Sequence, residues 1–243
     1  MIRSPNIWDT PEVYELENLA SDRAGVIDTT IDALHPLDGA DLLDIGCGTG
    51  FHLPRLAARG ARVVGVEPHL PLVAHARAWL SDAGPAQAGP TNAGPGTASV
   101  LAGDAEALPL ADASVDVVHA RWAYFFGAGC EPGLAEVERV LRPGGIAVVV
   151  DNDVTRSTFG AWFRRSYPAY DPVAVQRFWD RRGFTTEHLT IAWTFDRRDD
   201  LEAVARIELP PGPADEVLAA HQGLVVDYAV ALRWRRFGHP RGV

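Results

Sequence analysis

The 243-residue chain predicts an α/β fold, a mostly parallel sheet with helices on both faces, and three observations lead there. Apolar, β-branched runs alternate with helical stretches between Asp41 and Asp153, the first strand-to-helix junction is a glycine-spaced turn, and two more strand-like segments close the chain. Strands that alternate with helices pair in parallel through right-handed crossovers, and the crossover helices cover the sheet on both sides.

Residues 1–25 read as a leading helical cap segment. "DLLDIGCGTGFHLPRLA" (Asp41 to Ala57) is a short apolar strand, a turn with Gly46, Gly48 and Gly50 at every second position, and a helix start. "ARVVGVEP" is a second strand ended by an acid and a proline, and "LPLVAHARAWL" is its helix. Residues 82–97, rich in Gly, Pro and Ala, predict a flexible surface insertion. "SVLAGDAEALPL" and "SVDVVHARWAYFF" supply the third and fourth strands, "GLAEVERVL" a helix and "RPGGIAVVVDND" the fifth strand. Residues 155–182 are aromatic and arginine-rich, partly helical, and placed to cover a substrate. "TTEHLTIAWTF" and "GLVVDYAVALRWRRF", with two short helical stretches between them, predict an antiparallel pair at the sheet edge. The whole, 1–243, reads as a single domain.

Composition excludes several functions. All 22 cationic residues are arginine, so the phosphate loop GxxxxGK[ST], Schiff-base chemistry and a kinase-type lysine are absent. The formal charge of −10 argues against a nucleic-acid or anionic-membrane surface, and the short basic clusters, "RWRRF" among them, read as solvated faces. Cys47 and Cys130 form no paired motif, the eight histidines are scattered, and no metal site is predicted. With neither a signal-peptide-like start nor an apolar run long enough to cross a bilayer, a soluble, cytoplasmic protein is expected.

Ligands on such sheets bind at the carboxyl ends of the strands, and the first three strands each end in an acid: Asp44, Glu67 and Asp104. Glu67 follows Gly46 by 21 residues, the spacing at which an acid accepts hydrogen bonds from a ribose held by the glycine turn. The spacing is G-x-G-x-G rather than the G-x-G-x-x-G of a dinucleotide site, and Asp44 before it would repel a pyrophosphate and suit a cationic ligand. An adenosine bearing an amino acid and a positive sulfonium, S-adenosylmethionine, fits these features.

On "LLDIGCGTG", "VVGVEP", "AGDAEALPLADASVDVV" and "VERVLRPGG", in that order, the chain resembles the class I S-adenosylmethionine-dependent methyltransferases from about Asp41 to Asp151. The resemblance implies a Rossmann-like seven-stranded sheet with a final antiparallel strand. It also implies that Gly46, Cys47 and Gly48 pass their backbone along the cofactor, with Asp44 ordering the loop and facing the cofactor's ammonium and Glu67 taking its ribose hydroxyls. Pro68 would lie near the adenine, Asp104 would accept from its amine and Ala105 would offer its N–H. Arg121 and Tyr14 are counted with the cofactor-binding set. The expected activity is methyl transfer to a small organic molecule. Its alternatives are a cofactor-binding role without methylation and a nicotinamide-dependent oxidoreductase.

The stretch after the fourth strand, "ARWAYFFGAG", carries no histidine, and the amine-methylating signature [DN]PP[YF] is absent, which speaks against a nucleic-acid base as acceptor. In-line displacement from a sulfonium depends mostly on orientation, and a base is needed only where the acceptor must lose a proton. His119 and Tyr124 are the catalytic candidates. Trp8, Tyr14, Trp122, Tyr124, Phe159, Trp162 and Phe163 are expected to wall the acceptor pocket.

Overall fold

The computed structural model describes residues 4–83 and 96–238. Two short helices, α1 (Pro5–Asp9) and α2 (Pro11–Ala20), precede α3 (Val26–Leu34) and the first strand, β1 (Asp41–Ile45). There follow α4 (Leu53–Ala57), β2 (Arg62–Glu67), α5 (Leu70–Ala83), β3 (Thr97–Ala102), β4 (Val115–Arg121), α6 (Glu131–Val140) and β5 (Leu141–Asn152). The chain ends with α7 (Thr158–Ser166), α8 (Pro172–Asp180), β6 (Thr185–Thr194), α9 (Arg198–Glu208), α10 (Pro211–Ala220) and β7 (Val225–Arg236). Most of the expected insertion lies outside the described residues, since α5 runs on through Ala83 and β3 starts at Thr97.

Local chemistry starts many of these helices. Proline occupies the first turn of α1, α2, α4, α6, α8 and α10, where its missing N–H costs nothing. Asp171 caps α8 by accepting from the N–H groups of Val173 and Ala174 at 2.9 and 3.0 Å.

The seven strands lie in the order β3-β2-β1-β4-β5-β7-β6, and only β7 runs against the rest. This is the Rossmann-like sheet with its final strand antiparallel. The expected hairpin is an antiparallel pair, but β7 slots between β5 and β6 and leaves β6 at the edge. Alternate side chains feed two cores: Leu42, Val117 and Val148 pack under α3, α4 and α9, whereas Leu43, Val118 and Val149 pack under α6 and α8. The strand order reverses between β1 and β4, so their carboxyl ends diverge and leave a crevice.

The cap is fastened over this crevice by a pair of carboxyls. Asn6 donates to Glu208, and Glu17 of α2 hydrogen-bonds Glu208 of α9. Burial raises both acids, Glu208 to about 7, and the neighbouring Glu208 charge raises Glu17 further. A folded-state pKa above the ordinary 4.5 means that the folded chain holds the proton more tightly. Stability therefore falls as pH rises from that value through about 7. The melting temperature is expected to drop between pH 5.5 and pH 8 by several degrees more in the parent than in Glu208→Gln; parallel profiles would refute the shared proton.

Candidate functional site

A cavity of about 230 Å³ lies at the crevice, walled by the cap, the β1 and β2 exits, Gly103 to Ala105 and the turn after β4. Gly46, Gly48 and Gly50 all take positive φ (73°, 56° and 84°), which glycine adopts without a Cβ penalty. A Cβ on Gly46 would stand 2.5 Å from Ala123 Cβ, and one on Gly48 would stand 2.5 Å from Ile7 Cδ1 of α1. Gly48 thus makes room for the cap as well as for a ligand.

Glu67 joins two turns: Oε2 accepts from the Gly48 N–H at 3.1 Å and Oε1 from the His69 N–H at 2.9 Å. Buried beside the cavity, its carboxyl is held above the usual range, mainly by desolvation. Asp104 accepts from the Glu106 N–H at 3.1 Å and, with Pro68 and Ala105, lines the same wall. Trp8 stacks on His69 with ring centroids 4.5 Å apart and closes the cap side.

Arg121, at the end of β4, lies with its guanidinium 4.5 Å from the Trp122 ring centroid, and its Nε has no hydrogen-bond partner among the described residues. Burial lowers its pKa, yet arginine keeps its charge at any ordinary pH. Beside it lie Tyr14, whose phenol burial holds protonated, and His52, whose pKa is pushed well down by burial and then by Arg121. Sequence reasoning missed His52, Asn18, Phe51 and Phe126 on this wall. For His52 the available signal was its place in the first turn beyond the glycines, where side chains face the loop's ligand.

Trp122 and Tyr124 both carry positive φ (50° and 49°), a conformation that costs a non-glycine residue ~1–3 kcal/mol and persists only where surrounding contacts impose it. Those contacts are visible. Trp122 Nε1 donates to Asn152 Oδ1 at 2.8 Å; the Tyr124 hydroxyl donates to Glu106 Oε1 at 3.0 Å, and its ring lies where a Cβ on Gly133 would come within 2.3 Å.

Several expectations need revision. Asp44 does not border the cavity: it is buried and pairs with His119, Oδ1 to Nδ1 2.8 Å, across the β1–β4 register that sets the two residues side by side. His119, enclosed with it, likewise lies off the cavity wall. Tyr124 is on the wall, but burial and then the Glu106 bond push its phenol up to about 12, which disfavours a tyrosinate. Of the seven expected rings, Trp8, Tyr14, Trp122 and Tyr124 line the cavity. Phe159 instead stacks on Tyr228 at 4.4 Å, Trp162 meets His221 edge-on, and Phe163 packs on Tyr167. No residue of 155–182 reaches this cavity. Ile7, Trp8, Tyr14 and Asn18 of the leading segment line it instead.

Residues 43–149, the stretch holding this loop and these strand ends, match the family described as methyltransferase domain. Over that stretch the chain is similar to methyltransferase domains. The methyltransferase match extends to curated relatives. The biotin biosynthesis bifunctional protein BioHC of Cellvibrio japonicus is 29% identical over 85% of this chain and 40% of its own length. The ubiquinone/menaquinone biosynthesis C-methyltransferase UbiE of Rubrivivax gelatinosus is 29% identical over 61% of each chain. The chain thus spans less than two thirds of either relative. Among solved structures, a SAM-dependent methyltransferase from Aquifex aeolicus shares the fold, with a TM-score of 0.54 and 14% identity over 91% of this chain and 97% of its own.

At this site, Tyr124→Phe should leave cofactor affinity within about twofold, because the hydroxyl's partner is Glu106. Turnover should fall about tenfold if that bond, worth ~1.5–3 kcal/mol when one partner is charged, holds the strained turn in place. An unchanged rate would remove this orienting role.

Proposed function

We propose that the chain moves the methyl group of S-adenosylmethionine to a small organic acceptor. The observation carrying this reading is one cavity whose wall joins the left-handed glycine loop, the strand-end acids Glu67 and Asp104, and the half-buried Arg121 with its enclosed Nε. The residues suit the cofactor part by part. Each Glu67 oxygen keeps a second acceptor direction for a ribose hydroxyl. Asp104 and the Ala105 N–H suit the adenine edge. Arg121, with a buried unpartnered Nε among the described residues, suits the methionine carboxylate.

When bound, the sulfonium supplies an activated methyl group. The chain's part is to hold, orient and keep water away, with Trp8 over His69 on the cap side and Trp122 and Tyr124 at the β4 exit. His52 is the imidazole on the cavity wall nearest Arg121; burial and then Arg121 lower its pKa, which keeps it neutral at pH 7 and weakens it as a base. The relatives named for biotin and quinone biosynthesis and the net charge of −10 favour a small molecule over nucleic acid.

The test is to incubate the chain with S-adenosylmethionine and a panel of small acids, phenols and quinols, and to follow product mass. A gain of one methyl group, with S-adenosylhomocysteine released, supports the reading. Tight cofactor binding with no methylated product across the panel would favour a binding or non-methylating role.

A further inference from the structure

A second cavity, of about 370 Å³, shares no lining residue with the first. Its walls are the β5 exit, Tyr170 and the start of α8, His188 of β6, and Ala231 and Arg233 of β7. Asn152 belongs to this wall and accepts the hydrogen bond of Trp122 from the other cavity. Because β7 lies between β5 and β6, Arg233 is flanked by Val149 and Thr186 and is only 4% exposed.

The Arg233 guanidinium sits 5.7 Å from the Trp179 ring centroid, and its Nε and Nη1 have no hydrogen-bond partner among the described residues. The nearest carboxylate oxygen, Asp151 Oδ2, is 3.9 Å from Nη1, beyond hydrogen-bond reach. Buried donors without acceptors carry their full desolvation cost, so such a group at a cavity wall calls for an acceptor.

Asp151 makes a long ion pair with Arg233, and the acids around it have further partners. Asp153 accepts from Thr155 and His188 and pairs with Arg156, Asp180 accepts from Gln176, and Asp151 accepts from the Asn152 N–H. The remaining groups are donors: Arg177 is exposed at the rim, and Tyr170 keeps its proton, since burial and then Asp151 raise the phenol to about 12. Pro172 and Val173 add an apolar lip.

We infer that this cavity is a second ligand site, which takes the carboxylate of a small organic acid on the Arg233 guanidinium, with the Tyr170 hydroxyl and Arg177 as further donors. Asp151 is the group that opposes an incoming anion, and burial raises its pKa to about 6, so its charge is mostly gone at pH 5.5. Binding is independent of the first cavity and of the methyl-transfer reading.

Calorimetry with the full chain at pH 5.5, using benzoate and the uncharged benzyl alcohol as probes, tests it. Benzoate is expected to bind at least tenfold more tightly than benzyl alcohol, with or without saturating S-adenosylhomocysteine. Arg233→Gln should lose benzoate at least tenfold and keep its affinity for S-adenosylhomocysteine. Displacement of benzoate by S-adenosylhomocysteine, or equal benzoate affinity in Arg233→Gln, would overturn the site. If Arg233→Gln does not fold, the Arg233 Nε–H resonance of the parent decides: a saturable shift with benzoate supports the site, and no shift overturns it.

Discussion

Replacing Glu67 with alanine is expected to weaken S-adenosylmethionine binding by roughly tenfold to hundredfold, and to do so through two routes. Hydrogen bonds from a ribose to a carboxylate are worth ~1.5–3 kcal/mol, and each ~1.4 kcal/mol is a factor of ten. The same substitution leaves the Gly48 and His69 N–H groups without the oxygens that order both turns. Glu67→Gln separates the routes. The amide keeps one acceptor for the backbone and loses the charge, so an intermediate loss is expected. Equal affinity in the parent and in Glu67→Ala, measured by calorimetry, would remove Glu67 from the cofactor site.

Arg121→Met is the second large effect. Methionine keeps most of the apolar stem that packs by Trp122 and deletes the charge, so the fold should persist. Affinity for S-adenosylmethionine is expected to fall by roughly tenfold to hundredfold, the value of a charge-assisted bond to the methionine carboxylate. Methylthioadenosine, which lacks that carboxylate, should bind the parent and the variant about equally. An equal loss for both ligands would assign Arg121 a structural role only.

Much of the fold was legible because parallel strands buried on both faces carry consecutive apolar residues, as β1 does at Leu42 and Leu43, β4 at Val117 and Val118 and β5 from Ile146 to Val150. The glycine loop and Glu67 were legible for a similar reason: positive φ at three alternating positions and an acid at the next strand end leave a spacing that survives in one dimension. Cross-strand facts do not. Nothing in the sequence states that Asp44 lies beside His119, because that pairing depends on the β1–β4 register. "RWRRF" reads as a solvated face as long as its strand is assumed to lie at the edge; the insertion of β7 between β5 and β6 buries Arg233 and leaves Arg236 exposed. The aromatic run at Phe159 to Phe163 was assigned to the pocket from proximity in sequence to β5, yet α7 turns Phe159 onto Tyr228 and Trp193 in the core, Trp162 onto His221 and Phe163 onto Tyr167.

The most direct measurement is a calorimetric comparison of S-adenosylhomocysteine with NAD on the full chain. A loop of G-x-G-x-G spacing over Glu67, with Arg121 at the far wall, should bind S-adenosylhomocysteine at least a hundredfold more tightly than NAD. Equal or tighter binding of NAD would contradict it.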